Sequence, residues 1–339
     1  MAPEPMVSLM TVDRSNLPRY DDLPVASGVP AGSSWGLWGE HDVFGCLNLM
    51  TPERAVEAAK LIQRGAVFPL NWDMRMPDPP LFGRARFEHE VTGKPPSVGH
   101  DDVLHGWNTQ SSSQWDGFRH VRHPVHGHYG GVPDEEHGMN HWASRGLVGR
   151  AVLVDVGRWR SAQGRALQMD QPDAITPDDI LGTVGAQGSN IEPGDVLLMR
   201  TGWVGWYASL DMDTRTRMSD RTQMAAPGLP PGEATARFLW DLHIAAIGAD
   251  NPAVEIWPPG ALLDAKVVEE VRADPSRMAE TFVHTLLLPM LGLPLGEMWN
   301  LEALADDCAS DGRYDCFFTS APLNLPAGVA SPPNALAIK

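Results

Sequence analysis

Of the 339 residues only three are cysteine: Cys46, Cys308 and Cys316. They are sparse, odd in number and form no C-x-x-C pair. A disulfide-stapled scaffold and a thiolate zinc ribbon are therefore not expected. They read as small buried apolar residues in a reducing, cytoplasmic setting. No window holds eighteen uninterrupted apolar residues, so no transmembrane helix is expected. The first residues, MAPEPMVSLMTVDRSNLP, lack a basic stretch followed by an apolar run and do not read as a secretory signal. Positive charge is also scarce, with 26 Lys and Arg against 43 Asp and Glu and a formal net charge of −17. The basic residues are scattered rather than blocked. Such a field repels phosphate backbones and anionic headgroups, which argues against nucleic acid and membrane as partners. A small molecule or another protein subunit is the expected partner. There is no internal repeat and no convincing linker.

Periodic segments are plentiful. TPERAVEAAKLIQRG (51–65) reads as a helix with Thr51 as N-cap and Gly65 at the stop, and AVFPLNWDM after it as a strand. Residues 75–110 are rich in turn formers and read as long loops. AVLVDV (151–156) and GDVLLMRTGW (194–203) are apolar runs of the kind found in buried strands. A short helix is expected from about Thr176, and an amphipathic helix over PPGEATARFLWDLHI, followed by strand and turn in AAIGADNP. The segment 279–304 mixes helix, turn and strand, and CFFTSAPLNLPAG gives a strand and loop. Strands alternating with helices imply an α/β chain with a mixed sheet. Residues 1–34 read as an extended arm and 35–339 as one domain. The apolar end of SPPNALAIK suggests that the tail is pinned to the body or to a neighbouring subunit.

Histidines concentrate between His100 and His141, through His105, His120, His123, His126, His128 and His137. A metal or acid–base centre is one reading, and a polar loop surface is the other. The most specific local pattern is NTQSSSQWDGFRH (108–120). Gln110 and Gln114 are four apart, Asp116 follows by two, and His120 by four more. If 114–116 is extended, Gln114 and Asp116 share a face and Trp115 points the other way. The small residues Ser111, Ser112 and Ser113 would let backbone approach a ligand closely. They lie in no G-x-S-x-G elbow, so a serine nucleophile is a weak reading. Trp107, Trp115, Phe118 and Tyr129 surround the motif. Trp107 and Tyr129 are candidate walls for an aromatic or apolar substrate, and Trp115 and Phe118 read equally well as core.

This segment resembles the His-x-Gly-Thr-His-x-Asp-x-Pro-x-His signature of the metal-dependent cyclase family, the kynurenine-formamidase-like and isatin-hydrolase-like hydrolases. It is similar to a longer branch with a Ser-Gln-Trp-Asp version of the motif. Gln110 and Gln114 fall on two metal-binding histidines, Asp116 on the Asp, Phe118 on the Pro and His120 on the last His. His284 and Glu297, in FVHTLLLPMLGLPLGEMWNL, match the later His and Glu. GCLNLMTPERA, GDVLLMRTGW, IGADNPAVE and LNLPAGVASPPNALAIK agree in order and spacing. The resemblance implies a layered β/β/α core related to swivelling domains and assembly as a dimer or tetramer. It also implies hydrolysis of a C–N bond with Zn²⁺ or Mn²⁺ and a histidine acid–base.

The glutamines leave three readings open. In the first, Asp116, Gln110, Gln114, His284 and Glu297 hold a divalent ion, Mn²⁺ or Mg²⁺ before Zn²⁺, because amide and carboxylate oxygens are hard ligands. His120 then moves the proton. In the second there is no metal. His120 is the base, Asp116 or Glu297 orients it, and the two amides bind a substrate carbonyl. In the third the site binds without catalysing. Hydrolysis of a cyclic amide, formamide or lactone is the leading expectation, and a proton-transfer lyase or cyclase is its rival.

Overall fold

The chain folds around the two apolar runs read as buried strands. The computed structural model describes residues 17–93, 96–260 and 265–339. The strands are β1 (Val67–Pro69), β2 (Glu88–Val91), β3 (Asp102–His105), β4 (Gln114–Asp116), β5 (Leu147–Asp155), β6 (Val196–Arg200), β7 (Ala246–Ala249), β8 (Leu295–Glu297), β9 (Asp315–Ser320), β10 (Ala330–Ser331) and β11 (Ala335–Ile338). Nine of them form one sheet in the order β1-β11-β9-β5-β6-β7-β8-β4-β10. The inner strands β5 to β8 run parallel, and the flanks are antiparallel. This is the expected α/β class with a mixed sheet. Ala151–Val154 on β5 and Val196–Met199 on β6 are fully buried. Such strands read as continuous apolar runs because both faces are covered. Helices Pro52–Ala59, Pro177–Gln187 and Glu302–Asp311 pack on β5.

Local signals explain most boundaries. Thr176 caps the helix Pro177–Gln187 through a reciprocal box with Asp179, and Gly188 ends it in the left-handed region at φ 63°. The helix expected over 51–65 begins as read, with the Thr51 side chain accepting from the Arg54 N–H, but it stops at Ala59. Leu61 and Ile62 then donate three residues back, to the carbonyls of Ala58 and Ala59, which tightens the last turn. The strand expected over AVFPLNWDM shrinks to three residues. The long loop expected over 75–110 contains the β2–β3 hairpin, with Glu88 opposite His105 and Val91 opposite Asp102. All eight of its strand residues are exposed, so no apolar alternation marks it.

The two ends of the described chain lie on this body. In the segment read as an arm, Tyr20–Asp22 forms a 3₁₀ turn. The Tyr20 N–H donates to Asp241 at 2.8 Å, and Ser34 donates to the Leu291 carbonyl at 2.9 Å. Residues 1–16 lie outside the described residues. The tail is held by the body itself, since β11 sits between β1 and β9. Lys339 is buried, with its ammonium 2.9 Å from Asp307 and 2.8 Å from Asp311. Replacing Lys339 by Ala removes a packed stem and both ion pairs. The change should lower unfolding stability by about 2 kcal/mol. Urea unfolding measures this, and an unchanged midpoint would contradict the role given to the tail.

Candidate active site

Strand β4 lies antiparallel between β8 and β10, so its three side chains alternate. Gln114 and Asp116 face one side and are fully buried. Trp115 faces the other, donates its indole N–H to Ser320 Oγ at 3.0 Å, and meets Trp299 edge-on at 4.6 Å. The pairing sets Gln114 directly opposite Glu297, so these two side chains point into the same space. Gly296, beside Trp115, has to be glycine, since a Cβ there would lie 2.7 Å from the Trp299 ring.

The other members arrive from loops. His284 opens the short helix His284–Leu287, and Phe282 stacks on its ring at 4.7 Å. His284 Nε2 is 3.1 Å from Glu297 Oε1 and 3.9 Å from Asp116 Oδ2. Gln110 donates its amide N–H to Asp116 Oδ1 at 2.7 Å and approaches His120 Nδ1 at 3.0 Å. His120 Nε2 is 3.8 Å from Asp116 Oδ1. The Gln114 amide nitrogen donates to Glu297 and reaches Asp116 Oδ1 at 3.5 Å. The structure therefore brings Gln110, Gln114, Asp116, His120, His284 and Glu297 together.

Two further residues were not among the expected site residues, although Glu255 closes the IGADNPAVE stretch. Glu255 is fully buried and accepts from the Val283 N–H at 2.9 Å, the His284 N–H at 3.3 Å and His284 Nδ1. It lies just past Val254, whose φ is 55°, in an irregular segment that reads only as a turn. Gly228 packs so tightly on its backbone that a Cβ would lie 2.3 Å from the Glu255 carbonyl carbon. Arg84 is half-buried and donates to the Gln110 carbonyl at 2.5 Å.

Tyr129 and the three serines serve elsewhere. Tyr129 is a core residue rather than a substrate wall. It is fully buried, its hydroxyl donates to Asp42, and Phe118 packs on it at 4.8 Å. Trp107 is partly exposed. The serine hydroxyls do not form a permissive ligand loop. Ser111, Ser112 and Ser113 donate to the carbonyls of Asn108, Asp73 and Met298 at 2.8, 3.0 and 2.5 Å. Much of the histidine cluster is structural. His105 pairs with Glu90 on the hairpin, His128 meets the Phe118 carbonyl, and His137 meets the Tyr129 carbonyl.

The electrostatics follow from this packing. Burial alone would lower the His284 pKa, but its bonds to Glu255 and Glu297 outweigh that and raise it to about 10. Burial, then the charge of Asp116, pushes Glu297 up to about 7. Burial lowers His120 below the ordinary histidine value, against the pull of Asp116. Asp116, His284 and Glu297 each offer a ligand atom, and these lie within 4.8 Å of one another. Asp116 Oδ2 and Gln114 Oε1 are buried with no hydrogen-bond partner among the described residues. One imidazole, two carboxylates, an unpartnered carboxylate oxygen and a carboxylate behind the far ring nitrogen suit a divalent ion. The amide nitrogens of both glutamines face the carboxylates, which makes the glutamines donors to the ligand set in this arrangement.

With a chelator present, the imidazolium of His284 holds its proton more tightly folded than unfolded. Its stabilisation is complete below about 6.5, the unfolded value, and is lost as pH rises through about 10. Unfolding free energy should therefore fall across that window, and fall less in Glu255→Gln. Denaturant titrations from pH 6 to 10 test this. Identical slopes in the two proteins would contradict the pairing.

The cyclase family, described as "Putative cyclase", matches residues 57–256. The match ends before His284 and Glu297. A crystal structure described as a novel cyclase is 32% identical, with a TM-score of 0.74, and covers 91% of this chain and 99% of that one. Isatin hydrolase A from Labrenzia aggregata, bound to benzyl benzoate, is 20% identical with a TM-score of 0.53, covering 83% of this chain and 94% of that one. An isatin hydrolase bound to the product analogue thioisatinate is 16% identical with a TM-score of 0.56, covering 85% and 98%. The two isatin hydrolases share the fold. No curated protein matches the chain. Among the described residues, no helix is long and apolar enough to cross a membrane.

Proposed function

The chain belongs to the cyclase family, and from that premise we propose that it is a hydrolase opening a C–N bond of a cyclic amide or formamide, or a lactone. The observation that carries this reading is the buried Asp116, His284 and Glu297 group, with Asp116 Oδ2 unpartnered and His120 beside it. Asp116, His284 and Glu297 are the proposed ligands of a divalent ion, with Mn²⁺ or Mg²⁺ preferred to Zn²⁺ because the set is rich in oxygen. Such an ion, when bound, polarises a carbonyl and acidifies water.

The chain's own residues do the rest. Glu255 holds His284 Nδ1 and so turns Nε2 toward Glu297 and Asp116. Gln110 and Gln114 orient the carboxylates, which departs from the expectation that their oxygens ligate the ion. Gln110 also fixes the His120 ring by donating to Nδ1. His120 is a quarter exposed, while the carboxylates behind it are buried. It is the proposed proton carrier between the site and the leaving group. Trp107 is the proposed rim of a pocket for a small aromatic or apolar substrate. A homodimer or tetramer acting on it is the proposed assembly.

A second reading, a metal-independent lyase or cyclase, draws on one observation. The glutamine nitrogens already donate to Asp116 and Glu297, so the carboxylates are held by neutral groups. Turnover of a cyclic-amide, formamide and lactone panel, with and without chelator, decides between the readings. Hydrolysis lost on chelation and restored by Mn²⁺ is expected. Turnover indifferent to chelator would favour the lyase.

His120→Ala should cut the rate on the order of a hundred- to ten-thousand-fold with the fold retained. Because burial lowers the His120 pKa, the acid limb of the pH–rate profile should fall below the ordinary histidine value near 6.5. A limb above that value would remove His120 from this role. Gln114→His returns an imidazole to the position opposite Glu297 and should tighten Mn²⁺ or Zn²⁺ binding by calorimetry. Loss of activity with no gain in metal affinity would instead favour the metal-free reading.

A further inference from the structure

Arg84 has no carboxylate within ion-pair distance among the described residues. Most of the other sequestered arginines differ. Arg54, Arg150, Arg160 and Arg200 each pair with at least one aspartate or glutamate, while Arg145 gives its donors to the carbonyls of Leu47 and Met50. A guanidinium carries five donors, and the Gln110 carbonyl takes one from Arg84. The residue is held rigidly. Its own N–H closes a turn on the carbonyl of buried Leu81 at 3.2 Å, through Phe82 at φ 60° and Gly83 at φ 73°. The guanidinium lies 5.0 Å over the Phe82 ring, and Phe82 meets Trp257 edge-on at 4.9 Å. Trp257 Nε1 is buried with no hydrogen-bond partner among the described residues, and a second guanidinium, that of Arg221, lies 5.4 Å over the Trp257 ring. A fixed cation and an aromatic wall with an unspent donor therefore stand together. Through Gln110, Arg84 is one residue removed from Asp116 and His120. It is also near enough for its charge to lower the pKa values of His120 and Glu297.

We propose that Arg84 is the specificity residue that anchors a ligand carboxylate, with the body of the ligand against Phe82 and Trp257. The idea rests on the hydrolase reading in one respect, the origin of the carboxylate. Hydrolysis adds the oxygen of water to the carbonyl carbon and breaks the C–N or C–O bond. One proton of water goes to the leaving nitrogen or oxygen, and the other is released as the new acid ionises. The product is an anion beside Asp116 and Glu297 in a chain of net charge −17. Those charges repel it. A planar guanidinium that is not already neutralised is the group suited to hold it, by paired N–H donors.

The test is calorimetric binding of benzoate and of its neutral isostere benzamide, in EDTA, so that no metal holds the carboxylate. Wild type should prefer benzoate by about tenfold or more, the worth of a charge-assisted hydrogen bond. Arg84→Gln should lose that preference while benzamide binding and the circular dichroism spectrum stay unchanged. Arg84→Lys should keep part of it, since the charge remains without the fork. The proposal is overturned if wild type shows no preference for benzoate, or if Arg84→Gln binds benzoate as well as wild type does. Benzoate preference without turnover of any amide or lactone would retain Arg84 and remove the hydrolase. Turnover without the preference would do the reverse.

Discussion

Asp116, Glu255 and Glu297 are buried around a single imidazole, that of His284. Taking carboxylates out of water costs several kcal/mol each unless hydrogen bonds and opposite charge replace the solvent. The fold meets that demand unevenly. Glu255 receives two backbone N–H groups as well as His284 Nδ1. Glu297 receives the Gln114 amide and His284 Nε2. Asp116 receives Gln110 and Gln114 on one oxygen, and its other oxygen has no hydrogen-bond partner among the described residues, with His284 Nε2 at 3.9 Å. The shortfall at Asp116 Oδ2 is the carboxylate demand that the described residues leave unmet.

That constraint reaches into the sheet. Gln114 can serve Glu297 only because β4 and β8 are in register, with Gln114 opposite Glu297. A slip of one residue would turn Trp115 into the acidic cluster and both polar side chains into the core. Trp115 opposes the slip by filling a site bounded by Trp142, Trp299 and Ser320. The Ser113 hydroxyl adds a second lock, accepting from the Trp72 N–H at 2.7 Å while donating to the Met298 carbonyl. The apolar packing behind the strand and the polar geometry before it are thus two faces of one register.

Period and caps made the central strands, the Thr176-capped helix and the alternation of Gln114, Trp115 and Asp116 legible in sequence. The β2–β3 hairpin was not legible, because residues such as Glu88, His89 and Glu90 are exposed on both faces and leave no apolar alternation. The density of histidines left two readings open, and the structure divides them, with His120 beside Asp116 and others on the loop surface or in local contacts. Sequence shows proximity along the chain, whereas His105, His128 and His137 each give one ring nitrogen to a local partner. Glu255 and Arg84 escaped notice because each lies in an irregular segment without periodicity. Their roles come from contacts across long stretches of chain, to His284 in one case and to Gln110 in the other. His284 and Glu297 were found only through resemblance, since nothing in their own spacing joins them to Asp116.

The two glutamines give the site its particular character. An imidazole can turn a lone pair toward a cation, whereas an amide nitrogen has only hydrogens to give. Gln110 and Gln114 both direct that nitrogen at carboxylates, and the opposite flip would set amide oxygens against carboxylate oxygens. The first part of the signature thereby becomes a frame of neutral donors around Asp116 and Glu297. Among the described His, Cys, Asp and Glu side chains, the group able to hold a cation is Asp116, His284 and Glu297, and Gln114 Oε1 is a buried oxygen without a hydrogen-bond partner among the described residues. Under the proposed metal reading, a centre with fewer strong nitrogen donors would be harder and more oxygen-rich than a histidine-lined one, and would favour manganese or magnesium over zinc. His120 is left free of ligation by the same geometry. Its Nδ1 is held by an amide and its Nε2 stands 3.8 Å from Asp116, a disposition suited to carrying a proton.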